Sequence, residues 1–126
     1  MTNLKFRAFS HIYKRMFEVT HLDFRDTLTG YVTFEGNEGD VWDAVFDGKD
    51  FTLMQWTGLT DKNGQDIYEG DIVRYCQYLF NSDTIPIKHK VIEWIGHSAQ
   101  FNVFETAAGQ TGHEVIGNIY ENPELV

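Results

Sequence analysis

The sequence holds a single cysteine and two prolines in 126 residues. One thiol can neither close a disulfide within the chain nor build a thiolate zinc cluster, and a reducing cytoplasm is the compartment it suits. No run approaches the roughly 18 apolar residues of a membrane span, and the first residues show no apolar signal core, so no membrane segment or export signal is expected. Bases are scarce too. Ten Lys and Arg face 19 Asp and Glu, for a net charge of -9 and a pI near 4.8. A binder of the phosphate backbone needs a basic surface to displace counterions, so direct binding of duplex DNA is not expected. Sustained helical periodicity is absent as well: no window of a dozen residues repeats apolar positions at the 3.6-residue period.

What the chain has in quantity is aromatic residues: ten Phe, six Tyr and three Trp, or 15% of the sequence. Such residues favour pleated, half-buried surfaces. Leu4, Phe6 and Ala8 alternate with Lys5 and Arg7, the period of a half-buried strand. Further strands are predicted at Met16 to Val19, Gly30 to Phe34, Val41 to Phe46 and Phe51 to Trp56. Others follow at Asp71 to Cys76, Lys90 to Ile95, Phe101 to Phe104 and Glu114 to Ile119. Asp47-Gly48 and Asn63-Gly64 are hairpin signals, because glycine supplies a positive φ without steric cost. Asn122-Pro123-Glu124 could open one helical turn at the end of the chain.

These features describe an all-β protein of short antiparallel strands. Residues 1–57 read as an N-terminal β-layer, and residues 58–126 as a small SH3-like β-barrel on which that layer packs, the two forming one compact unit. Inward positions of the barrel are expected to include Ile72 or Val73, Trp94, Phe101 and Ile116. Gly70 and Gly117 fall where a bulge or a close backbone approach would curl the sheet, with Asn118 satisfying a backbone group there.

Charge is uneven. Residues 1–20 carry four bases against Glu18, whereas the remaining 106 carry six bases against eighteen acids. The densest acidic stretch is Glu35, Glu38, Asp40, Asp43, Asp47 and Asp50. It alternates with Val41, Trp42, Val45, Phe46 and Phe51, which fits the solvated face of two strands. It also fits an acidic face that imitates DNA phosphates or steers a basic partner.

Catalytic and ligand-binding templates find little to hold. His11, His21, His89, His97 and His113 show neither the i,i+4 nor the alternating spacing of metal ligands. His97 and Ser98 are neighbours, so on a strand they face opposite ways and cannot act as a nucleophile–base pair. Cys76 reads as a small buried hydrophobe; Arg74, two residues away on the same strand face, is the one feature that would favour a reactive thiolate. Asp61 to Asp66 starts like a calcium loop, but glycine comes at the fourth position and Ile72 stands where a bidentate Glu is required. Gly58 to Gly64 lacks the Gly-Lys-Ser/Thr and the helix of a phosphate loop. Glu69 and Asp71 are two carboxylates beside Tyr68. They could do acid–base chemistry, but acids there more commonly serve a turn at a strand start.

Two longer motifs carry a resemblance. Leu53-Met54-Gln55-Trp56-Thr57-Gly58-Leu59-Thr60-Asp61-Lys62-Asn63-Gly64 runs into Ile67-Tyr68-Glu69-Gly70-Asp71-Ile72-Val73, and the chain closes with Glu114-Val115-Ile116-Gly117-Asn118-Ile119-Tyr120-Glu121-Asn122-Pro123-Glu124-Leu125. With Lys5-Phe6-Arg7-Ala8, the sequence resembles the YopX family of small proteins from temperate bacteriophages and prophages, departing at Phe9-Ser10, where members commonly show Trp-Asp. The resemblance implies an all-β protein of the bacterial cytoplasm that associates with itself. It supplies no catalytic, cofactor-binding or metal-ligating residue to carry over.

The reading is therefore a phage accessory protein, not an enzyme, acting as a binding or assembly module and forming a homo-oligomer. Burial of strand edges at Phe101 to Phe104 and Val115 to Tyr120, and of aromatics such as Tyr78, Phe80 and Phe104, would drive that association. The alternative is an acidic, DNA-mimic-like antagonist of a host nucleic-acid-binding protein. A third is a small hydrolase using Glu69 and Asp71.

Overall fold

The computed structural model describes residues 4–25, 27–33, 41–76, 87–103 and 112–126. Every strand pairing among them is antiparallel, and the single helical element is a 3₁₀ turn. The fold is all-β, as the alternation and the turn residues imply. Two compact units divide it, Asn3–Gln55 and Trp56–Val126.

The first unit contains β1 (Phe6–Ser10), β2 (Arg15–Asp23), β3 (Thr29–Thr33), β4 (Trp42–Val45) and the first part of β5 (Phe51–Thr60). Its strands lie in the order β4-β3-β2-β1-β5. Ala8, Phe17, Val32, Ala44, Phe46 and Phe51 form its core, with Phe51 meeting the rings of Phe17 and Phe46 edge-on at 5.8 and 6.2 Å. Full burial of such side chains contributes roughly 1.5–3 kcal/mol each. The register of β2 on β3 shifts between Val19 and His21, a bulge that brings the His21 carbonyl onto Gly30. A Cβ at Gly30 would fall on that oxygen. Gly48 turns the chain from β4 to β5 at φ +81°, and the Asp47 carboxylate accepts the amides of Lys49 and Asp50 at 2.8 and 3.0 Å.

The second unit begins with the rest of β5. Gly58 adopts φ +89° within this strand, and the register against β6 (Asp66–Tyr68) shifts between Trp56 and Thr60. Gly58 thus makes a bulge in β5, and the chain turns back at Asp61 to Gln65, where Asn63-Gly64 signals a hairpin. β7 (Asp71–Cys76) is the centre of a sheet ordered β11-β7-β8, with β8 at Ile87–Val91 and β11 at Glu114–Asn118. Its central place explains why the consecutive residues Ile72 and Val73 are both fully buried. Val73 joins Ile67, Ile92 and Val103 in the second core.

The strand expected over Lys90 to Ile95 is two strands. Ile92 leaves β8 to pair with the turn before β7, its amide donating to the Asp71 carbonyl and its carbonyl accepting the Gly70 amide, both at 2.8 Å. β9 (Trp94–Ile95) and β10 (Gln100–Phe101) then form a small hairpin. Trp94 is 53% exposed, so its expected inward position is corrected. It lies edge-on to Phe101 at 5.1 Å on a ribbon that has two strands among the described residues. Among the described residues no sheet closes on itself into a barrel, and no helix is long and apolar enough to cross a membrane.

Candidate functional site

The carboxylates of the longest motif are spent on backbone. Asp61 is fully buried. Its Oδ1 accepts the amides of Asn63 and Gln65 at 2.8 and 2.9 Å, and its Oδ2 accepts the Val115 amide at 3.0 Å. The Lys62 amide also donates to the His113 carbonyl at 2.9 Å. The hairpin turn signalled by Asn63-Gly64 thus also caps part of the outer edge of β11. Asp66 and the glycines around Lys62 belong to the same hairpin.

Asp71 is buried, and its Oδ2 accepts the Tyr68 amide at 2.8 Å. Gly70, at φ +86°, turns the chain between Glu69 and Asp71. Asn118 closes the same end from β11, where it lies opposite Asp71: its Oδ1 accepts the amides of Tyr120 and Glu121 at 3.1 and 2.9 Å. Gly117 lies against the Asn122 side chain, where a Cβ would come 2.8 Å from Cγ. Asn122 Oδ1 in turn accepts the Asn118 amide at 3.2 Å. Gly117 therefore stands at a close approach and Asn118 satisfies backbone groups, as their positions in the motifs suggest, while Gly70 is required by its turn.

The histidines are dispersed. His11 Nε2 lies 2.6 Å from Thr52 Oγ1, His21 stacks on Tyr31 at 5.3 Å and His89 is exposed on β8. His97 and Ser98 occupy the exposed turn between β9 and β10 and not a strand. Among the described residues no three His, Cys, Asp or Glu side chains converge on one point. Cys76 ends β7, and its side chain lies outside the described part, as do Tyr78, Phe80 and Phe104.

Two charged surfaces remain. On the second unit, Glu114 receives Arg74 Nη2 at 2.7 Å and Lys62 Nζ at 3.1 Å. The hydrogen bond from Lys62, with that from Arg74 behind it, holds the Glu114 carboxyl below its usual range. Beside it Tyr75 stacks on His113 at 5.3 Å, with Lys90 Nζ 5.0 Å from the Tyr75 centroid. Burial, and then the Lys90 charge, lower the His113 imidazole; burial lowers Lys90 as well. Arg74 is thus engaged by an acid two residues from Cys76.

On the first unit, His21, Asp23, Tyr31 and Asp43 line an open cleft of about 270 Å³ over β2, β3 and β4. The Arg25 side chain forks onto Asp23, with Nη2 at 2.8 Å from Oδ2, and keeps that carboxyl below its normal range. Asp43 is exposed beside Tyr31, which it faces across the β3–β4 ladder. This arrangement can take a cationic or planar group against one carboxylate and one ring. The sequence signal for it was the alternation of acids with apolar residues from Val41 onward; the partnership with His21 and Tyr31 needed the fold.

The YopX protein family matches residues 5–126. Among solved structures, the crystal structure of protein EF1440 from Enterococcus faecalis is similar over 99% of each chain, with 28% identity and a TM-score of 0.62. No curated protein matches the sequence.

Proposed function

This chain belongs to the YopX family, and from that premise we propose that it is a non-catalytic binding or assembly module that associates with copies of itself. The observation that carries the reading is the use made of the motif acids. Asp61 and Asp71 are buried and hold backbone amides at 2.8 to 3.0 Å. A carboxylate so engaged serves turn geometry, whereas a catalytic acid or base must reach a substrate proton. Exposed aromatic surface at Tyr13, Phe24, Tyr31, Trp42 and Trp94 supports a role in contact with other proteins. The proposed setting is the cytoplasm of a bacterium carrying a phage or prophage, and duplex DNA is not among the proposed ligands.

Light scattering coupled to size exclusion tests the self-association. A mass at a multiple of 14.6 kDa is expected across a concentration series. A mass that stays at one chain up to high micromolar protein rules it out.

A second reading is supported by the exposed carboxylates of Asp43, Asp47 and Asp50: an acidic antagonist that occupies the nucleic-acid site of a host protein. Competition between this protein and DNA for a captured host factor distinguishes it. The hydrolase reading through Glu69 and Asp71 comes third, since Asp71 would have to give up the Tyr68 amide to act.

A further inference from the structure

β4 is the last strand of its sheet, and among the described residues nothing pairs with its outer side. The Phe46 amide donates to the Leu28 carbonyl at 2.9 Å, and Ala44 and Trp42 lie opposite Gly30 and Val32. Ladder bonds alternate along an antiparallel pair. The peptide groups of Asp43 and Val45 therefore point away from β3.

Alternation also gives this edge two distinct faces. Trp42 lies on the core side, its ring 5.3 Å from Phe17 and 5.4 Å from Tyr13. Trp42 is 39% exposed and Tyr13 59%, and each adjoins a further exposed apolar residue, Val41 and Ile12. Asp43 lies on the opposite side with Tyr31 and His21, at the 270 Å³ cleft. One face offers an aromatic shelf; the other offers a carboxylate beside an exposed ring.

We propose that the free edge of β4 docks an extended segment of a partner protein in which basic and apolar residues alternate, added to the sheet as a further strand. The outward peptide groups of Asp43 and Val45 supply the ladder bonds. A Lys or Arg on the cleft side meets the Asp43 carboxylate and the Tyr31 ring, and its apolar neighbours cover Trp42 and Tyr13. Charge selects the occupant. Asp47 and Asp50 lie exposed just beyond the strand with Lys49 the one base between them, so an acidic strand would be repelled along this edge. A free edge that keeps two large aromatics in water is a liability unless something covers it. The proposal rests on the binding-module reading and names the partner chemistry of one surface.

The test titrates the whole protein with a short blocked peptide of alternating lysine and valine, followed by amide NMR. Saturable shifts at Asp43, Val45 and the Trp42 indole are expected. A peptide with glutamate in place of lysine should bind roughly tenfold more weakly or worse, and Asp43→Lys should reverse that preference. Val45→Pro removes one outward amide at an edge position where proline is tolerated; it should cost about tenfold in affinity with the β1–β3 amides unmoved. If that variant does not fold, the charge reversal at Asp43 decides alone. Equal binding of the two peptides, or no shift in β4 at millimolar peptide, overturns the proposal. So does a shift of the same amides with protein concentration alone, which assigns the edge to a second copy. An oligomer whose β4 amides ignore the peptide overturns the docking site and leaves the module reading standing.

Discussion

Asp61 Oδ2 accepts the Val115 amide at 3.0 Å across 54 residues of chain. One buried side chain thus joins the β5–β6 hairpin to the outer edge of β11. Its other oxygen, Oδ1, accepts the amides of Asn63 and Gln65 within the hairpin.

Asp61→Asn retains one acceptor oxygen and turns an NH₂ donor toward an amide. It should destabilise the protein by about 2 kcal/mol or more, the usual cost of leaving a buried donor unsatisfied, and Asp61→Ala should cost more. Urea unfolding checks this, and an unchanged midpoint in both variants would remove Asp61 from its structural role.

Gly30 and Gly48 should respond differently to alanine. A Cβ at Gly30 meets the His21 carbonyl, whereas at Gly48 the space is open but φ is +81°. Gly30→Ala must push β2 from β3 and should cost on the order of 3 kcal/mol. Gly48→Ala should cost about 1 kcal/mol for the left-handed backbone alone. Thermal unfolding of the two variants gives the order, and a smaller loss at Gly30 would contradict the close approach.

Acidification should weaken the second unit in two stages. The His113 imidazole is lowered in the folded protein by burial and by Lys90, so the unfolded chain takes up the proton first. Its stabilisation is complete above the ordinary value of 6.5 and is lost as pH falls through the folded value. Glu114 is lowered by Lys62 and Arg74, so its contribution is present above its ordinary 4.5 and disappears as pH falls through its folded value. Stability measured against pH should therefore drop below about 6.5 and again below about 4.5. Glu114→Gln should remove the lower step and leave the upper one; salt should shrink the lower step, because that cluster is open to solvent. A profile identical in the variant would discount the ion pairs.

Much of the fold was legible because it depends on local rules. The period of two marks β1, and β-favouring residues between turn signals mark β3, β4 and β7; β7 begins and ends where the sequence places it, at Asp71 and Cys76. Gly48 and Gly64 both hold positive φ, the conformation for which Asp-Gly and Asn-Gly are selected. Pro123 opens a 3₁₀ turn behind Asn122. A positive φ does not always mean a turn: at Gly58 it serves a bulge, the Thr57 hydroxyl donates to the Ile67 carbonyl at 2.7 Å and β5 runs on to Thr60.

The sequence by itself determined the class of fold, the turns whose donors and acceptors lie within a few residues, and the acid-rich, aromatic surface. Only the tertiary structure decided which acids are buried and what they hold. Asp61 reads as a loop acid until β11 arrives beside it, and Asp43 becomes part of a cleft only once the β2 bulge sets His21 against Tyr31. The same holds for Trp94, apolar enough for a core but left outside by a hairpin that ends after two residues. Period and turn chemistry act over a handful of residues, whereas burial depends on register between strands far apart in the chain, and a one-residue change of register exchanges inside for outside.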